Sequence, residues 1–232
     1  MLENKHILIT GASRGLGRSL AEACHRRGAR LSLCARSSDT LLEITSQTNS
    51  LGAALDVSDD TAVSRWIAAA VSQYGPIYAV VNNAALLGPM GPLKDYSSET
   101  FGRVLDVNLR GAFVVTQTAL PHMVRPGGIL CQITSFLGQT ALPNYGAYCV
   151  SKFGLEGFTY LLAAEHGDEG LISCTVDPGM VQSQMLQAAL GQEDVSEFTP
   201  AAEAGEALAQ LLEGLSASDN GRRLELYPQD GS

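Results

Sequence analysis

HILITGASRGLG, residues 6–17, is the stretch that decides the fold. Its first five residues, His6–Thr10, form a short apolar run of the kind that makes a buried strand. The glycines that follow interrupt the run, and a helix is predicted from about Gly17 to Arg27. Glycines between a strand and a helix let the backbone approach a pyrophosphate, whose charge is stabilised by N–H groups at the helix N-terminus. The stretch therefore predicts a strand–turn–helix unit suited to a dinucleotide.

The glycine spacing leaves alternatives open. It is G-x-x-x-G-x-G and differs from the commoner G-x-G-x-x-G, because Leu20 takes the third glycine position. No Gly-Lys pair occurs in the chain, which excludes a phosphate loop of the nucleotide-hydrolase type. Residues 11–15 also match the G-x-S-x-G nucleophile elbow around Ser13, but a hydrolase elbow follows several strands and here only one precedes it. An ordinary tight turn is the remaining alternative.

Apolar runs and helical stretches alternate along the rest of the chain. Ser58 is predicted to cap a helix that ends at about Tyr74, and Thr199-Pro200 to begin a last helix that ends near Gly214. The further predicted strands are Leu31–Ala35, Ile77–Val81, Gly128–Thr134, Leu171–Val176 and Leu224–Tyr227. Continuous apolar strands separated by helices predict a parallel sheet covered on both faces. Since no linker or repeat occurs, we predict one doubly wound α/β domain, Rossmann-like, over residues 1–232.

Composition and charge limit the function. The chain has 232 residues, 45% of them hydrophobic and 17% charged, which excludes a disordered protein. Its net charge of −9 disfavours a nucleic-acid partner. Residues 1–36 nevertheless carry seven Lys/Arg and two Asp/Glu. This basic segment is either a solvated helix face or a local site for a small anion such as a phosphate.

The cysteines and the N-terminus indicate a cellular setting. Five cysteines is an odd number, and no C-x-x-C spacing occurs, so neither a disulfide framework nor a zinc site is predicted. The histidines form no close cluster in the sequence, and we predict no metal. The N-terminal apolar run is too short for a signal peptide, and no apolar run is long enough to span a membrane. We therefore expect a cytoplasmic protein without a membrane partner.

Further motifs follow the glycine-rich turn in a fixed order: Asp56-Val57, Asn82-Asn83-Ala84-Ala85, Asn108, Ser135, Tyr148-Cys149-Val150-Ser151-Lys152 and Asp177-Pro178-Gly179-Met180-Val181-Gln182-Ser183. Together with that turn they resemble the short-chain dehydrogenase/reductase family, and the match runs from residue 5 to about residue 185. The sequence departs from the family pattern at Ala85, where the family has Gly, and at Ser183, where it has Thr. The resemblance implies that the cofactor is bound by Gly11, Ser13, Arg14, Gly15, Leu16, Gly17, Arg36, Asp56, Val57, Asn82, Ala84, Tyr148, Lys152, Pro178, Gly179, Val181 and Ser183.

The same resemblance implies four catalytic residues: Asn108, Ser135, Tyr148 and Lys152. Tyrosine with a pKa of about 10 exchanges protons poorly near neutrality. A lysine four residues later lies on the same helix face, so we expect the Lys152 ammonium to lower the pKa of Tyr148. By resemblance Tyr148 is the proton donor, Lys152 also holds the nicotinamide ribose, and Ser135 hydrogen-bonds the substrate oxygen. Asn108 would hold a water at a helix irregularity.

The end of the second strand predicts the type of nicotinamide cofactor. Dehydrogenases that prefer NAD usually have an acidic residue there, whereas this chain has Ala35 followed by Arg36, with Arg14 in the glycine turn. Two guanidinium groups suit a 2′-phosphate. Asp39 is nearby, and we expect it to cap the next helix. The predicted cofactor is NADP(H).

Apolar residues limit the substrate but do not identify it. Residues 180–199 are predicted to form an amphipathic lid, with Met185, Leu186, Ala188, Ala189 and Leu190 as its apolar side, although a helix packing that side on the core fits equally well. Further predicted cleft walls are Leu86, Leu87, Met90, Phe136, Leu137 and Tyr145. The predicted function is NADPH-dependent reduction of a small apolar carbonyl compound to its alcohol. The alternative is a non-catalytic NADP(H)-binding sensor or scaffold.

The family resemblance also implies a homodimer or homotetramer. The expected contact regions are residues 98–124, residues 148–166 and the final strand. Apolar residues that could form this surface, unless the sheet covers them, are Val114, Val115, Leu120, Leu155, Phe158 and Leu162.

Overall fold

Seven parallel strands form one sheet in a computed structural model of the chain, which describes residues 1–192 and 194–227. The strands in spatial order are β3 (Leu51–Ala54), β2 (Arg30–Ala35), β1 (His6–Thr10), β4 (Ala79–Asn82), β5 (Ile129–Ile133), β6 (Ile172–Asp177) and β7 (Arg223–Glu225). The helices are α1 (Gly15–Arg26), α2 (Ser38–Thr48), α3 (Asp60–Tyr74), α4 (Ser98–Leu105), α5 (Gly111–Ala119), α6 (Gly146–His166), α7 (Gln184–Ala189) and α8 (Ala201–Gly214). A π-helical turn, Asp106–Arg110, joins α4 to α5.

Helices cover both faces of the sheet. Along β1, Ile7 and Ile9 belong to the apolar cluster that contains residues of α1, α2 and α8, whereas Leu8 belongs to the cluster formed with α3, α5 and α6. This alternation follows from the two-residue period of a strand, because both sides of a parallel sheet are buried. The predicted doubly wound, Rossmann-like α/β fold is confirmed.

The sheet topology places the site. Strand order reverses between β1 and β4, which pair in parallel in the centre of the sheet. In such sheets ligands bind outside the carboxyl ends of the strands at this reversal. The glycine-rich turn follows β1 and the Asn82–Ala85 motif follows β4, so both lie at this crevice.

Several predicted helix starts were wrong by one or two residues. Asp59, not Ser58, caps α3, and its carboxylate accepts a hydrogen bond from the Ala62 N–H at 3.0 Å. Pro200 precedes the first residue of α8 and is not its first residue. Asp39 lies in the first turn of α2 and does not cap it. Local patterns place a helix start only approximately, since adjacent polar residues compete for the capping position.

The last strand also differs from the prediction. It spans Arg223–Glu225 and pairs with β6, whereas the sequence predicts Leu224–Tyr227.

All five cysteines are buried and carry free thiols. In the described ranges, no helix combines the length and apolar character needed to cross a bilayer.

Candidate active site

The glycine-rich turn requires glycine for steric reasons. Gly11 and Gly15 have φ of +66° and +54°, a region that other residues rarely adopt. A Cβ at Gly17 would lie 2.4 Å from the carbonyl oxygen of Gly11 and 2.5 Å from Nδ2 of Asn83. The Asn83 amide in turn donates to the carbonyl oxygens of Thr10 and Gly11, which fastens β4 to the turn. The first turn of α1 is thus held at the end of β1, with N–H groups that lack intrahelical acceptors.

Arginines occupy the place where the sequence predicts a 2′-phosphate site. Ala12 donates its backbone N–H to the carbonyl oxygen of Cys34 at 3.1 Å, so the glycine turn lies beside the end of β2. Ala35 is buried there and Arg36 is exposed. Arg14 is also exposed, and its guanidinium donates to Gln184 Oε1 at 2.5 Å. The guanidinium groups of Arg14 and Arg36, at the end of β2, are hydrogen-bond donors that suit an anion.

Asp56 follows β3 and is bonded to neighbouring residues. Its carboxylate accepts hydrogen bonds from the backbone N–H and hydroxyl of Ser58, at 3.0 and 2.7 Å, and pairs with Arg103 of α4. Burial alone would raise the pKa of Asp56, but the Ser58 hydrogen bonds and the Arg103 guanidinium outweigh it and lower the pKa. Asp56 is therefore an anionic, oriented acceptor at the rim of the crevice. Arg103 was not among the predicted site residues, because no local sequence pattern distinguishes it.

Asn82 lies in the protein interior and does not present its side chain to the crevice. It is 4% exposed, and its amide donates to the hydroxyl of Thr116 and to Gln132 Oε1, both at 3.0 Å. The Asn82 side chain thus joins β4 to α5 and β5. The backbone N–H of Ala84 donates a hydrogen bond to the Thr10 hydroxyl at 3.0 Å. Ala84 therefore lies beside Gly11 of the glycine-rich turn.

Ser135, Tyr148 and Lys152 meet at the carboxyl end of β5. Ser135 caps a short 3-10 turn, Phe136–Gly138, and its hydroxyl accepts from the Leu137 N–H. Tyr148 is 9% exposed and Lys152 3% exposed, one helical turn apart on α6. The Lys152 amine donates to the carbonyl oxygen of Ile133 at 2.7 Å and lies 5.3 Å from the centroid of the Tyr148 ring.

Burial shifts both pKa values at this centre. Loss of solvent lowers the pKa of Lys152 to about 8, and the negative charges of Asp177 and Glu156 oppose the shift. Burial also raises the pKa of Tyr148 above its usual value, and the hydroxyl of Ser135 opposes that rise. The expected lowering of the Tyr148 pKa by Lys152 is not found, because desolvation dominates and the lysine amine is directed at Ile133.

Asn108 lies in the π-helical turn, and the predicted helix irregularity is confirmed. It is 1% exposed; its amide donates to the Leu86 carbonyl and to the hydroxyl of Ser151, both at 2.9 Å, while its oxygen accepts from the Leu86 N–H. Ser151 precedes Lys152 in the chain. Asn108 therefore ties the loop after β4 to the helix that carries Tyr148 and Lys152.

Residues 178–192 and 194–199 follow the end of β6 on the Tyr148 side of the crevice. Gly179, with φ of +69°, donates its N–H to Asp177, and Ser183 caps α7. The base of the segment is closed by a bridge between Val181 and Thr199. Met185 packs against the cluster that contains Leu137, Tyr148 and Cys149.

The predicted apolar walls are only partly found. Leu87, Leu137 and Tyr145 pack with Tyr148, and Phe136 is 51% exposed near Ser135. Leu86 instead packs against the core on the α3 and α5 face of the sheet, so its predicted place in the cleft is wrong. The backbone of Leu86 is pulled inward by Asn108, which explains the difference.

The fold and the site define an oxidoreductase of the dinucleotide-binding α/β class. The chain belongs to the short-chain dehydrogenase family, whose model matches residues 5–194. This match includes the glycine-rich turn, the Ser135–Tyr148–Lys152 centre and the segment Asp177–Ser183. Membership disfavours the hydrolase alternative for Ser13, because residues 11–15 lie within the dehydrogenase match.

Relatives with named activities are similar over most of the chain. An NADPH-dependent pterin aldehyde reductase of Arabidopsis thaliana is 32% identical over 94% of this chain and 91% of its own length. Levodione reductase of Leifsonia aquatica is 31% identical over 85% of this chain and 77% of its own. A short-chain dehydrogenase structure from Escherichia coli CFT073, complexed with NADPH, superposes with a TM-score of 0.90 at 27% identity and covers 98% of both chains.

Proposed function

We propose that this protein is an NADPH-dependent carbonyl reductase that converts a small, apolar aldehyde or ketone to its alcohol, reversibly. The observation that carries the proposal is the Ser135–Tyr148–Lys152 centre, in which a buried ammonium lies beside a buried phenol. A protein that only binds nucleotide has no chemical need for this pair. The other proposed catalytic residue, Asn108, fixes the helix that carries the pair.

Each residue has a distinct part in the reduction. NADPH, when bound, supplies the hydride. Ser135 donates a hydrogen bond to the substrate oxygen as that oxygen gains negative charge, and Tyr148 transfers its hydroxyl proton to it, giving the alcohol. The Lys152 ammonium then stabilises the Tyr148 phenolate and binds the ribose hydroxyls. Protons return from solvent along Lys152 and a water held at the Asn108 turn.

The cofactor is NADP(H). Arg14 and Arg36 bind the 2′-phosphate, and the glycine turn, with Ser13 and Leu16, cradles the pyrophosphate at the N-terminus of α1. Asp56 and Val57 would contact the adenine. Ala84 and the segment Pro178–Ser183 would bind the nicotinamide half of the cofactor. Support comes from the exposed guanidinium groups and from the relatives that use or contain NADPH.

Replacing Arg36 tests the cofactor assignment. We expect Arg36→Ala to lower kcat/KM for NADPH by about 10- to 100-fold, since a hydrogen bond to a charged group contributes about 1.5–3 kcal/mol. The value for NADH should stay unchanged. Arg30→Ala is the matched control, because Arg30 is an exposed arginine at the opposite end of the same strand. A preference for NADPH that survives Arg36→Ala would contradict the assignment.

The cleft supports a modest apolar substrate. Leu87, Leu137, Tyr145 and Met185 surround Tyr148, and residues 180–199 act as the lid that closes over the bound substrate. NADPH oxidation should be followed with a panel of aldehydes, ketones and keto-esters, matched with charged and sugar-like carbonyls. Apolar members should react fastest. A preference for charged compounds would contradict the apolar assignment.

A non-catalytic sensor with the same fold is the second candidate. It predicts normal NADPH binding without turnover of any carbonyl or alcohol in the panel. The intact set Asn108, Ser135, Tyr148 and Lys152 favours the enzyme. Calorimetric binding of NADPH, measured beside the panel, distinguishes the two.

The protein also assembles as a homodimer or homotetramer through α5 and α6. The apolar residues predicted for this surface are partly core, since Val114, Val115, Leu155 and Leu162 are all less than 5% exposed. The exposed apolar residues on the two helices are Phe113, Val150, Phe153, Tyr160 and Leu161. Exposed apolar side chains on two neighbouring stretches of helix favour an interface between copies of the chain.

Substitution of one of these residues tests the assembly. Light scattering of the wild type should give a multiple of the chain mass, and Leu161→Glu should reduce it toward the monomer, because a carboxylate would be buried at the interface. Leu42→Glu is the control; Leu42 is 65% exposed on α2. A monomeric wild type at micromolar concentration would refute the interface.

A further inference from the structure

Arg223 on β7 lies at the centre of a buried charge network behind the active site. Its guanidinium pairs with Glu156 of α6 at 2.5 Å and with Asp177 of β6 at 2.6 Å. The three side chains are between 9% and 12% exposed. Buried ion pairs of this kind require partners for every charge, because an unpaired buried charge is strongly unfavourable.

The network is connected to the backbone that carries Ser135. Arg223 also donates to the carbonyl oxygen of Ser135 at 3.2 Å. Glu156 accepts from the hydroxyls of Thr134 and Thr175 at 2.7 and 2.8 Å, so one carboxylate spans β5 and β6. The end of β5, where Ser135 begins the next turn, is thus fixed from both neighbouring elements.

The network is connected to Lys152 as well. Glu156 follows Lys152 by one turn of α6. The Lys152 amine donates to the carbonyl oxygen of Ile133 on β5. Asp177 ends β6, the strand that pairs with β5.

Among the described residues, the charged or titratable groups that face Lys152 are Tyr148 and Glu156 on its own helix and Asp177 on β6. Arg223 on β7 faces the two carboxylates, and Glu225 on the same strand lies 3.9 Å from the Arg223 guanidinium and is 35% exposed. The least exposed charges of this network are thus the carboxylates of Glu156 and Asp177 and the cations of Lys152 and Arg223.

We propose that Arg223 is a positioning residue that, through Glu156 and Asp177, fixes the Ser135 backbone and sets the charge state of Lys152. The inference rests on the proposed function, since it concerns the same centre. Arg223 restrains the two carboxylates and partly neutralises them. Their remaining negative charge opposes the fall in the Lys152 pKa that burial causes.

The chain offers a direct measurement, because it contains only three lysines: Lys5, Lys94 and Lys152. Protein with ¹³C-labelled lysine gives one NMR signal for each, and the buried one is assigned with Lys152→Met. The pH titration of this signal needs neither substrate nor cofactor. The variants are Glu156→Gln and Arg223→Met, with Arg222→Met as control, since Arg222 is the exposed neighbour that pairs with Asp219.

The expected shifts have opposite signs. Glu156→Gln removes a negative charge and should lower the Lys152 pKa by about one unit, whereas Arg223→Met removes a positive charge and should raise it by about one unit. The double variant should return near the wild-type value, and Arg222→Met should not change it. A purely structural role would not give shifts of opposite sign.

Each result decides the proposal. An unchanged Lys152 titration in either Glu156→Gln or Arg223→Met overturns it. With a reactive carbonyl, Glu156→Gln should also move the basic limb of the kcat profile down by the same shift while the KM for NADPH changes less than twofold. If the NMR shifts occur but no carbonyl reacts with the wild type, the charge network stands and the reductase function fails.

Discussion

Tyr148→Phe is expected to reduce turnover by about 10²- to 10⁴-fold, the contribution that a positioned proton donor makes. The substitution removes one hydroxyl and keeps the ring that packs with Leu137 and Met185, so the free energy of unfolding should change little. The affinity for NADPH should stay within a few-fold, since the residues proposed to bind its phosphates are Arg14, Arg36 and the glycine-rich turn. Steady-state kinetics with the best carbonyl of the panel, together with NADPH titration, measure both effects.

Tyr145→Phe is the matched control, because Tyr145 packs in the same apolar cluster but has Cys149, not a lysine, four residues later. Its turnover should fall far less. Wild-type turnover in Tyr148→Phe would refute the mechanism.

The pH profile gives a second check on this pair. Reduction should weaken as the pH rises through about 8, where Lys152 loses its positive charge. The apparent pKa of the profile should therefore lie well below 10, because the group that titrates is Lys152.

Gly17→Ala should produce the largest loss outside the catalytic centre. The new Cβ would meet the Gly11 carbonyl oxygen at 2.4 Å and the Asn83 amide at 2.5 Å, so the turn must move and the Asn83 hydrogen bonds must lengthen. Overpacking of this kind costs about 1–3 kcal/mol. We expect a lower free energy of unfolding in urea and an NADPH affinity reduced by more than about tenfold, the equivalent of 1.4 kcal/mol.

Gly157→Ala separates this steric effect from helix propensity. Gly157 also lies inside a helix, α6, and a Cβ there meets nothing within 4 Å. Because alanine is the better helix former, the control should gain about 0.5–1 kcal/mol and leave NADPH affinity unchanged. Equal behaviour of the two variants would show that the turn tolerates a side chain.

Local sequence determined the fold and the position of the site in this protein. The His6–Gly17 stretch combines a two-residue apolar period with glycines at positions that allow positive φ, and both are properties of neighbouring residues. The regular spacing of later strands then implies a parallel sheet, and the motifs at strand ends must meet at one edge of it. The grouping of Ser135, Tyr148 and Lys152 came from the resemblance to the short-chain dehydrogenase/reductase family; of the three, only Ser135 follows a strand, β5.

Tertiary structure alone decided the pKa values and the charge pairs of the candidate active site. The rise in the Tyr148 pKa and the fall in that of Lys152 come from burial, which depends on what the fold packs around α6. The inward orientation of Asn82 and the Arg223 pairs with Glu156 and Asp177 join residues between 34 and 67 positions apart. Desolvation and charge pairing act through space, so residues distant in sequence determine them and no local pattern records them.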